Sequence, residues 1–327
     1  MTTTSILQPG QIETAAGAVP ELRTTPTDLF SRRALRFRQL ADGHSLAGYL
    51  EFCAAVAEQQ QHELDNHPHI PVPEPSFPAQ SGGRAAAPLD PAGWPRHSHW
   101  RESARRLAAA AEGSTPPNGR ESLARLAAGS PQWLEAQADS LLRGAFDALD
   151  LAVAPLIGAA LQVQWTYLAG RLPPRQGGLT EEPVFCPICG SHPVASVIRV
   201  DASAKGLRYL HCSLCGTEWH VVRAKCSNCD NSKDIGYYGI EGQDTLARAE
   251  TCPTCRSYLK VFLQEHCPDV DPTSDDLATL ALDLCMGDNN YAKSGVNFFF
   301  LTAAWAPLPD SQQRGLKRRS SSFQGKS

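Results

Sequence analysis

Apolar residues recur at helical spacing through the first half of the chain and take up strand spacing only after residue 190. Phe30, Ala34, Phe37 and Ala41 fall on one helical face, and Asp28 is placed to cap that helix. Arg32, Arg33, Arg36 and Arg38 lie on the other faces and read as a solvated surface. Ser45 is placed to cap a second helix reaching about Leu64, with Leu46, Leu50, Cys53, Val56 and Ala57 as its apolar stripe. The pattern then stops. Eight prolines fall between Pro68 and Pro95, so residues 66–97 read as an extended linker or a loop laid over the surface. His62, His67, His69, His97 and His99 cluster around it and read as solvated rather than as ligands.

Helical periodicity returns over residues 101–111, 119–128, 130–149 and 151–172. The most apolar stretch, 149–168, contains Asp150, Pro155, Gln162 and Gln164, which predicts a buried bundle helix and no membrane insertion. Pro173-Pro174 and Gly177-Gly178 close this part. Beyond them, residues 195–200 and 207–211 read as strands, with a Lys205-Gly206 turn signal before the second. Residues 257–263 read as a last strand. Asp275 and Asp276 read as the acidic first turn of a helix over 277–286.

Composition adds little. The net charge of −4 gives no electrostatic footprint for nucleic acid or an anionic membrane. The first 25 residues lack a basic start and a long apolar run, which is not a secretory signal. A cytoplasmic protein is the expectation.

The chemistry lies in the cysteines. A shift of 40 positions carries Cys186, Cys189, Cys212 and Cys215 onto Cys226, Cys229, Cys252 and Cys255, so the region is an internal repeat. Two residues between cysteines let one tight turn aim both sulfurs at one point, and a second such turn completes a tetrahedral four-sulfur site. Each repeat separates its turns by 22 residues, enough for two short strands and a connection. The repeat therefore pairs Cys186, Cys189, Cys212 and Cys215 as site one, and Cys226, Cys229, Cys252 and Cys255 as site two. Disulfides are the bland alternative, but a reducing compartment disfavours them. Cys53, Cys267 and Cys285 are left over and read as packing residues. Zinc and iron both suit tetrahedral sulfur. Four protein ligands leave no position for water or substrate, which speaks against metal-centred hydrolysis. Small or polar residues after the second cysteine, Gly190, Gly216 and Asn231, suit the turns.

Between residues 181 and 260 nine Lys/Arg balance nine Asp/Glu, which argues against a nucleic-acid-binding ribbon. Trp219 reads first as packing over a knuckle. With His220 and Arg223 it is also the candidate partner-binding spot. No Ser/His/Asp triad or phosphate-cradling Gly loop is visible, so an enzyme reading has no residues to stand on.

The stretches Cys186-Pro187-Ile188-Cys189-Gly190-Ser191-His192-Pro193-Val194 and Leu207-Arg208-Tyr209-Leu210-His211-Cys212-Ser213-Leu214-Cys215, with Glu218-Trp219-His220, resemble the formate dehydrogenase accessory protein family, FdhE. Glu250-Thr251-Cys252, Tyr258-Leu259-Lys260 and Asp275-Asp276-Leu277-Ala278-Thr279-Leu280 follow in that family's order. Leu29-Phe30-Ser31-Arg32-Arg33-Ala34 and His44-Ser45-Leu46 with Tyr49-Leu50 resemble its helical start. Asp288-Asn289-Asn290-Tyr291 departs from the family's acidic-Gly pattern, and the Arg/Ser-rich tail from Arg314 resembles an addition.

The resemblance implies a non-catalytic cytoplasmic assembly factor for respiratory formate dehydrogenase. It would bind the catalytic subunit before export, with iron as the metal at each four-cysteine site and zinc as the alternative. It implies an α+β protein: an α-helical N-terminal domain followed by two tandem rubredoxin-like or zinc-ribbon modules. The expected layout is a flexible arm over 1–25, a helical domain over 26–175, modules over 181–222 and 223–265, a C-terminal helix and extension over 266–310, and a disordered tail over 311–327. A rubredoxin-like electron carrier and a nucleic-acid-binding ribbon are the alternatives. A homodimer stays open.

Overall fold

The computed structural model describes residues 21–72, 87–173, 184–200, 206–223, 225–241 and 247–301. Six α-helices precede the cysteine region among these residues: α1 (Leu29–Ala41), α2 (Ala47–Asp65), α3 (His99–Ala110), α4 (Arg120–Ala128), α5 (Pro131–Arg143) and α6 (Ala154–Ala169). Helix α6 is buried on every face, as a hydrophobic helix at the centre of a bundle must be. Among the described residues, no helix is long and apolar enough to cross a membrane.

The caps differ from expectation in two places. Asp28 stands at the start of α1 but its side chain caps nothing. Gln61 of α2 does that work, its Oε1 accepting from Phe30 N and Ser31 N at 3.1 Å each. Helix α2 starts at Ala47, and His44 Nδ1, not Ser45, accepts from Leu46 N at 3.0 Å. Helix α5 follows the local rules: Ser130 accepts from Trp133 N, and Gly144 ends it with φ of 71°. The stretch expected to be helical over 130–149 breaks there, and a 3-10 turn at Phe146–Ala148 follows.

The cysteine region forms one sheet. Its strands are β1 (Leu22–Arg23), β2 (Pro193–Arg199), β3 (Leu207–Cys212), β4 (Glu218–His220), β5 (Gly236–Tyr238), β6 (Ala247–Cys252) and β7 (Ser257–Leu263), with β8 (Ala292–Lys293) beside β7. The order β1-β4-β3-β2-β7-β6-β5 lays the two repeats side by side in the same orientation. Each is an antiparallel meander. Its inner register is identical: Tyr209↔His220 and Leu210↔Trp219 in the first become Ala249↔Lys260 and Glu250↔Leu259 in the second. The meanders join through parallel β2 and β7, with Ser196 opposite Val261. They are therefore not two freestanding ribbons.

Two expectations are corrected, and between the two readings of the Pro-rich segment its far end favours a loop laid on the fold. Residues 21–25 end no loose arm: β1 pairs with β4, covering its edge, and Thr25 Oγ1 donates to Cys215 O at 2.9 Å. The far end of the Pro-rich segment is anchored, because Leu89 is buried, its N–H donates to Ile188 O, and its carbonyl accepts from Trp165 Nε1. The acidic pair Asp275-Asp276 does not open a helix over 277–286. Helix α7 (Pro272–Ala278) contains both, with Asp271 as its cap and Pro272 in the first turn, and α8 (Leu280–Asp288) follows. The chain breaks at Thr279 because Lys260 Nζ binds its carbonyl and hydroxyl, both at 3.0 Å. The expected tail over 311–327 lies outside the described residues.

One apolar core runs through the helical bundle into site one, taking in Cys186, Cys189, Cys212, Leu214, Cys215 and Trp219. A second core joins β2, β6 and β7 to Leu282 and Met286 of α8.

Candidate metal centres

All eleven cysteines are unbridged. Eight of them gather into the two sets that the repeat pairs, and within each set the four sulfurs lie within 4.8 Å of one another. In site one Cys186 and Cys215 Sγ are 3.6 Å apart, and Cys189 and Cys212 Sγ 3.4 Å. In site two Cys226 and Cys255 are 3.7 Å apart, as are Cys229 and Cys252. A tetrahedron with metal–sulfur bonds of ~2.3 Å needs sulfurs about 3.8 Å apart, so either set could hold one ion.

The turns supply donors to the sulfurs. Leu214 N and Cys215 N point at Cys212 Sγ, 3.4 Å away, and Asn228 N at Cys226 Sγ. In site two the side-chain amides of Asn228 and Asn231 add to these, at 3.8 Å from Cys255 Sγ and 3.7 Å from Cys252 Sγ. A hydroxyl stands beside the fourth sulfur in both repeats: Thr217 Oγ1 at 3.2 Å from Cys215, and Ser257 Oγ at 3.0 Å from Cys255. Positions 217 and 257 are also 40 apart. The repeat that located the cysteines would have located these hydroxyls too. Burial pushes the Cys186 thiol up, and hydrogen bonds from Cys226 and Cys229 draw Cys255 far down. An ion entering either set must displace protons.

Protein-family models for FdhE match the chain in three consecutive parts: the N-terminal domain over residues 19–180, the central domain over 185–223 and the C-terminal domain over 224–300. The chain belongs to the FdhE family. A curated FdhE homologue from Serratia proteamaculans (strain 568) is 39% identical over 287 residues, covering 88% of this chain and 92% of that one. One from Yersinia pestis (strain Pestoides F) is 39% identical over 288 residues, covering 88% and 93%. Among solved structures, the FdhE protein from Pseudomonas aeruginosa superposes with a TM-score of 0.76 at 36% identity, covering 88% of this chain and all of that one. The boundary between the central and C-terminal FdhE models falls between the two cysteine sets.

The residues singled out beside the metal ligands part company. Trp219 is wholly buried opposite Leu22 and Leu210, as its packing reading expects, and offers no surface to a partner. His220 is half-buried, and Arg223 is exposed next to exposed Val222. Of the remaining cysteines Cys53 is buried as expected, whereas Cys285 is exposed. The histidines around the Pro-rich segment are not all solvated. His67 stacks on Tyr167 with centroids 3.9 Å apart and meets His99 edge-on at 5.1 Å. Burial lowers its pKa to about 4.

The two sites differ in setting. Site one is sunk in the core: its four cysteines are 0–2% exposed. Helix α6 holds one knuckle through Gln162 Nε2, which donates to Ser213 O at 2.7 Å. In site two Cys226 and Cys252 are buried, but Cys229 and Cys255 are only half-buried.

Proposed function

We propose that this FdhE-family protein is a non-catalytic accessory factor for formate dehydrogenase, working in the cytoplasm on the catalytic subunit before export. The observation that carries the reading is the pair of four-cysteine sets built into one sheet in a chain that matches FdhE throughout its described core. Each site would hold one ion, rubredoxin-type iron or zinc, through Cys186, Cys189, Cys212 and Cys215, and through Cys226, Cys229, Cys252 and Cys255. Bound iron would supply a one-electron couple; bound zinc would supply cross-linking alone. With every coordination position taken by protein sulfur, the chain's own contribution is rigidity. Such a sheet suits a docking platform better than a reaction centre. His220 and Arg223, with Val222 beside them and Trp219 packed beneath, form the surface assigned to the catalytic subunit.

Two measurements test this. Deletion of the gene should abolish formate-dependent respiration; unimpaired respiration would remove the proposal. Co-purification with the catalytic subunit should fall when Val222 and Arg223 are replaced by Asp and Glu, while the far-ultraviolet circular dichroism is unchanged. A second reading, electron transfer, is favoured by the half-exposed sulfurs of Cys229 and Cys255. Reversible reduction of iron-loaded protein would support it, and a protein that acquires only zinc in its host would exclude it.

A further inference from the structure

The 40-residue repeat makes the two metal sites directly comparable, position by position, and the comparison is uneven. In site one the residues after the paired cysteines are Gly190 and Gly216, with φ of 70° and 72°. Their counterparts in site two are Asp230 and Arg256, with φ of 67° and 54°. All four occupy the left-handed region, where glycine is at ease, aspartate is tolerated and arginine is strained.

The substitution follows the packing. A Cβ on Gly216 would meet Leu29 Cδ2 at 2.8 Å and Thr25 Cγ2 at 3.0 Å, because the start of the helical bundle presses on that knuckle. At Arg256 there is room for a whole side chain, which turns outward to lie over the Tyr291 ring at 4.2 Å and to donate to Asn289 O.

The anchors differ as well. The knuckles of site one are bonded from distant parts of the chain. Leu89 N donates to Ile188 O, Gln162 Nε2 to Ser213 O, and Thr25 Oγ1 to Cys215 O. Opening site one therefore means disrupting the bundle. Site two is bonded within its own turns through Asn228, Asn231 and Ser257, and from outside by the short 289–292 segment and by Arg208 at Lys225 O, with no bond from the helical bundle among the described residues. Its knuckles lie before β5, the outermost strand of that repeat, and between β6 and β7, and the second knuckle, residues 253–256, is exposed apart from half-buried Cys255. Local opening takes place where buried contacts are few and backbone is exposed.

We infer that the two sites divide their labour: site one is a fixed staple between helices and sheet, and site two is an exchange site whose ion is open to an incoming thiolate ligand. The inference rests on the two-ion reading above. Entry is on the Cys229 and Cys255 side. With an ion held there, the incoming sulfur would form one bond to it as the bond from Cys255 Sγ, or Cys229 Sγ, breaks. The released cysteine thiolate takes a proton from solvent, and no electron moves. A protein with such a site can pass an ion to, or share it with, a thiol-bearing client without losing its own fold.

The test uses the full chain loaded with zinc, which is silent to redox side reactions. Metal analysis first establishes two ions per chain. The loaded protein is then mixed with excess 4-(2-pyridylazo)resorcinol and iodoacetamide, and aliquots are digested for mass spectrometry. One equivalent of zinc should leave about tenfold faster than the other, or more. Apart from exposed Cys285 and half-buried Cys267, which no zinc protects, the residues alkylated in that phase should be Cys226, Cys229, Cys252 and Cys255, with tryptophan fluorescence unchanged. Glutathione, as a thiolate probe, should accelerate the fast phase in proportion to its concentration. A protein that takes up no zinc overturns the two-ion reading and this inference with it. In a loaded protein, release of both ions at one rate, labelling of site one first, or a fast phase indifferent to glutathione overturns the inference alone.

Discussion

Arg33 and Asp271 meet in the interior although 238 residues separate them: Arg33 Nε lies 3.2 Å from Asp271 Oδ1, and both side chains are buried. The contact ties α1 to the cap of α7, and Arg36 repeats it one turn on, with Nη2 2.6 Å from Asp275 Oδ1. Burial alone would raise the Asp271 carboxyl, but the Arg33 guanidinium, His211 nearby and the Ser274 hydrogen bonds together outweigh it and hold the pKa below its ordinary value. Removing one partner of a buried pair leaves the other charge unmatched. Arg33→Met should therefore lower stability by ~3–5 kcal/mol. Replacing both residues, Arg33→Met with Asp271→Leu, should recover much of the loss. Urea denaturation of the two variants beside the parent checks this; a single variant indistinguishable from the parent would mean the pair holds nothing together.

Acid should weaken the helical bundle through Glu63. Its carboxylate is buried in α2, and burial would raise its pKa. Arg106, Ser103 and Gln59 overcome that by binding both oxygens, at 2.5–2.9 Å, and hold the pKa at about 2 instead of 4.5. The unfolded chain takes up this proton near 4.5, before the folded chain does. The contribution is thus whole above 4.5 and drains away as pH falls towards 2. Glu63→Gln should lower stability at neutral pH and flatten the decline below 4.5. Denaturation midpoints from pH 7 down to 3 measure both effects. A variant with the parent's slope would show that other carboxylates set it.

The equivalent knuckle positions 216 and 256 predict unequal responses. Gly216→Ala adds a left-handed alanine, at about 1–2 kcal/mol, and a Cβ that collides with Leu29 and Thr25, at about 1–3 kcal/mol more. Arg256→Gly relieves the left-handed strain while giving up the contact with Tyr291. That contact is worth about 0.5–1 kcal/mol, so the two effects nearly cancel. Thermal melts of metal-loaded protein should show a clear fall for the first variant and little movement for the second. Equal losses would mean the site-two knuckle is held as tightly as that of site one.

What was legible in the sequence was whatever has a short period. The cysteine spacing and the 40-residue shift disclosed both four-cysteine sets, because two sulfurs on one turn are a local matter. Strands β3 and β7 were legible from residues 207–211 and 257–263 for the same reason. The joining of the modules was not. Ser196 meets Val261 across a parallel pair 65 residues apart in sequence, and nothing in either strand names the other. Strand β1 has two residues and so no pattern to read. Arg33 was read as surface because charge ordinarily marks solvent, Asp275 and Asp276 as the acidic turn of a helix starting beyond them, and Asp271 carried no signal at all. Only the tertiary fold reveals that each has an opposite charge waiting. Trp219 could be read as core or as docking residue until β1 was seen to cover its strand.

Loss of a ligand should affect the two sites unequally. Read from the sequence, each ribbon depends on its own ion, so Cys186→Ser and Cys226→Ser would each unfold one module and spare the helices. The packing changes that expectation. Site one shares a core with α2, α3 and α6, and its knuckles are bonded to Leu89, Gln162 and Thr25. Cys186→Ser should therefore loosen the bundle along with the first meander. Site two abuts a separate core formed with α8, so Cys226→Ser should open β5 and β6 and leave the bundle intact. Hydrogen exchange separates the cases. Amides of α6 should lose protection in the first variant and keep it in the second. Full protection of α6 in both would mean that the bundle stands without either ion, and that the shared core is adjacency rather than dependence.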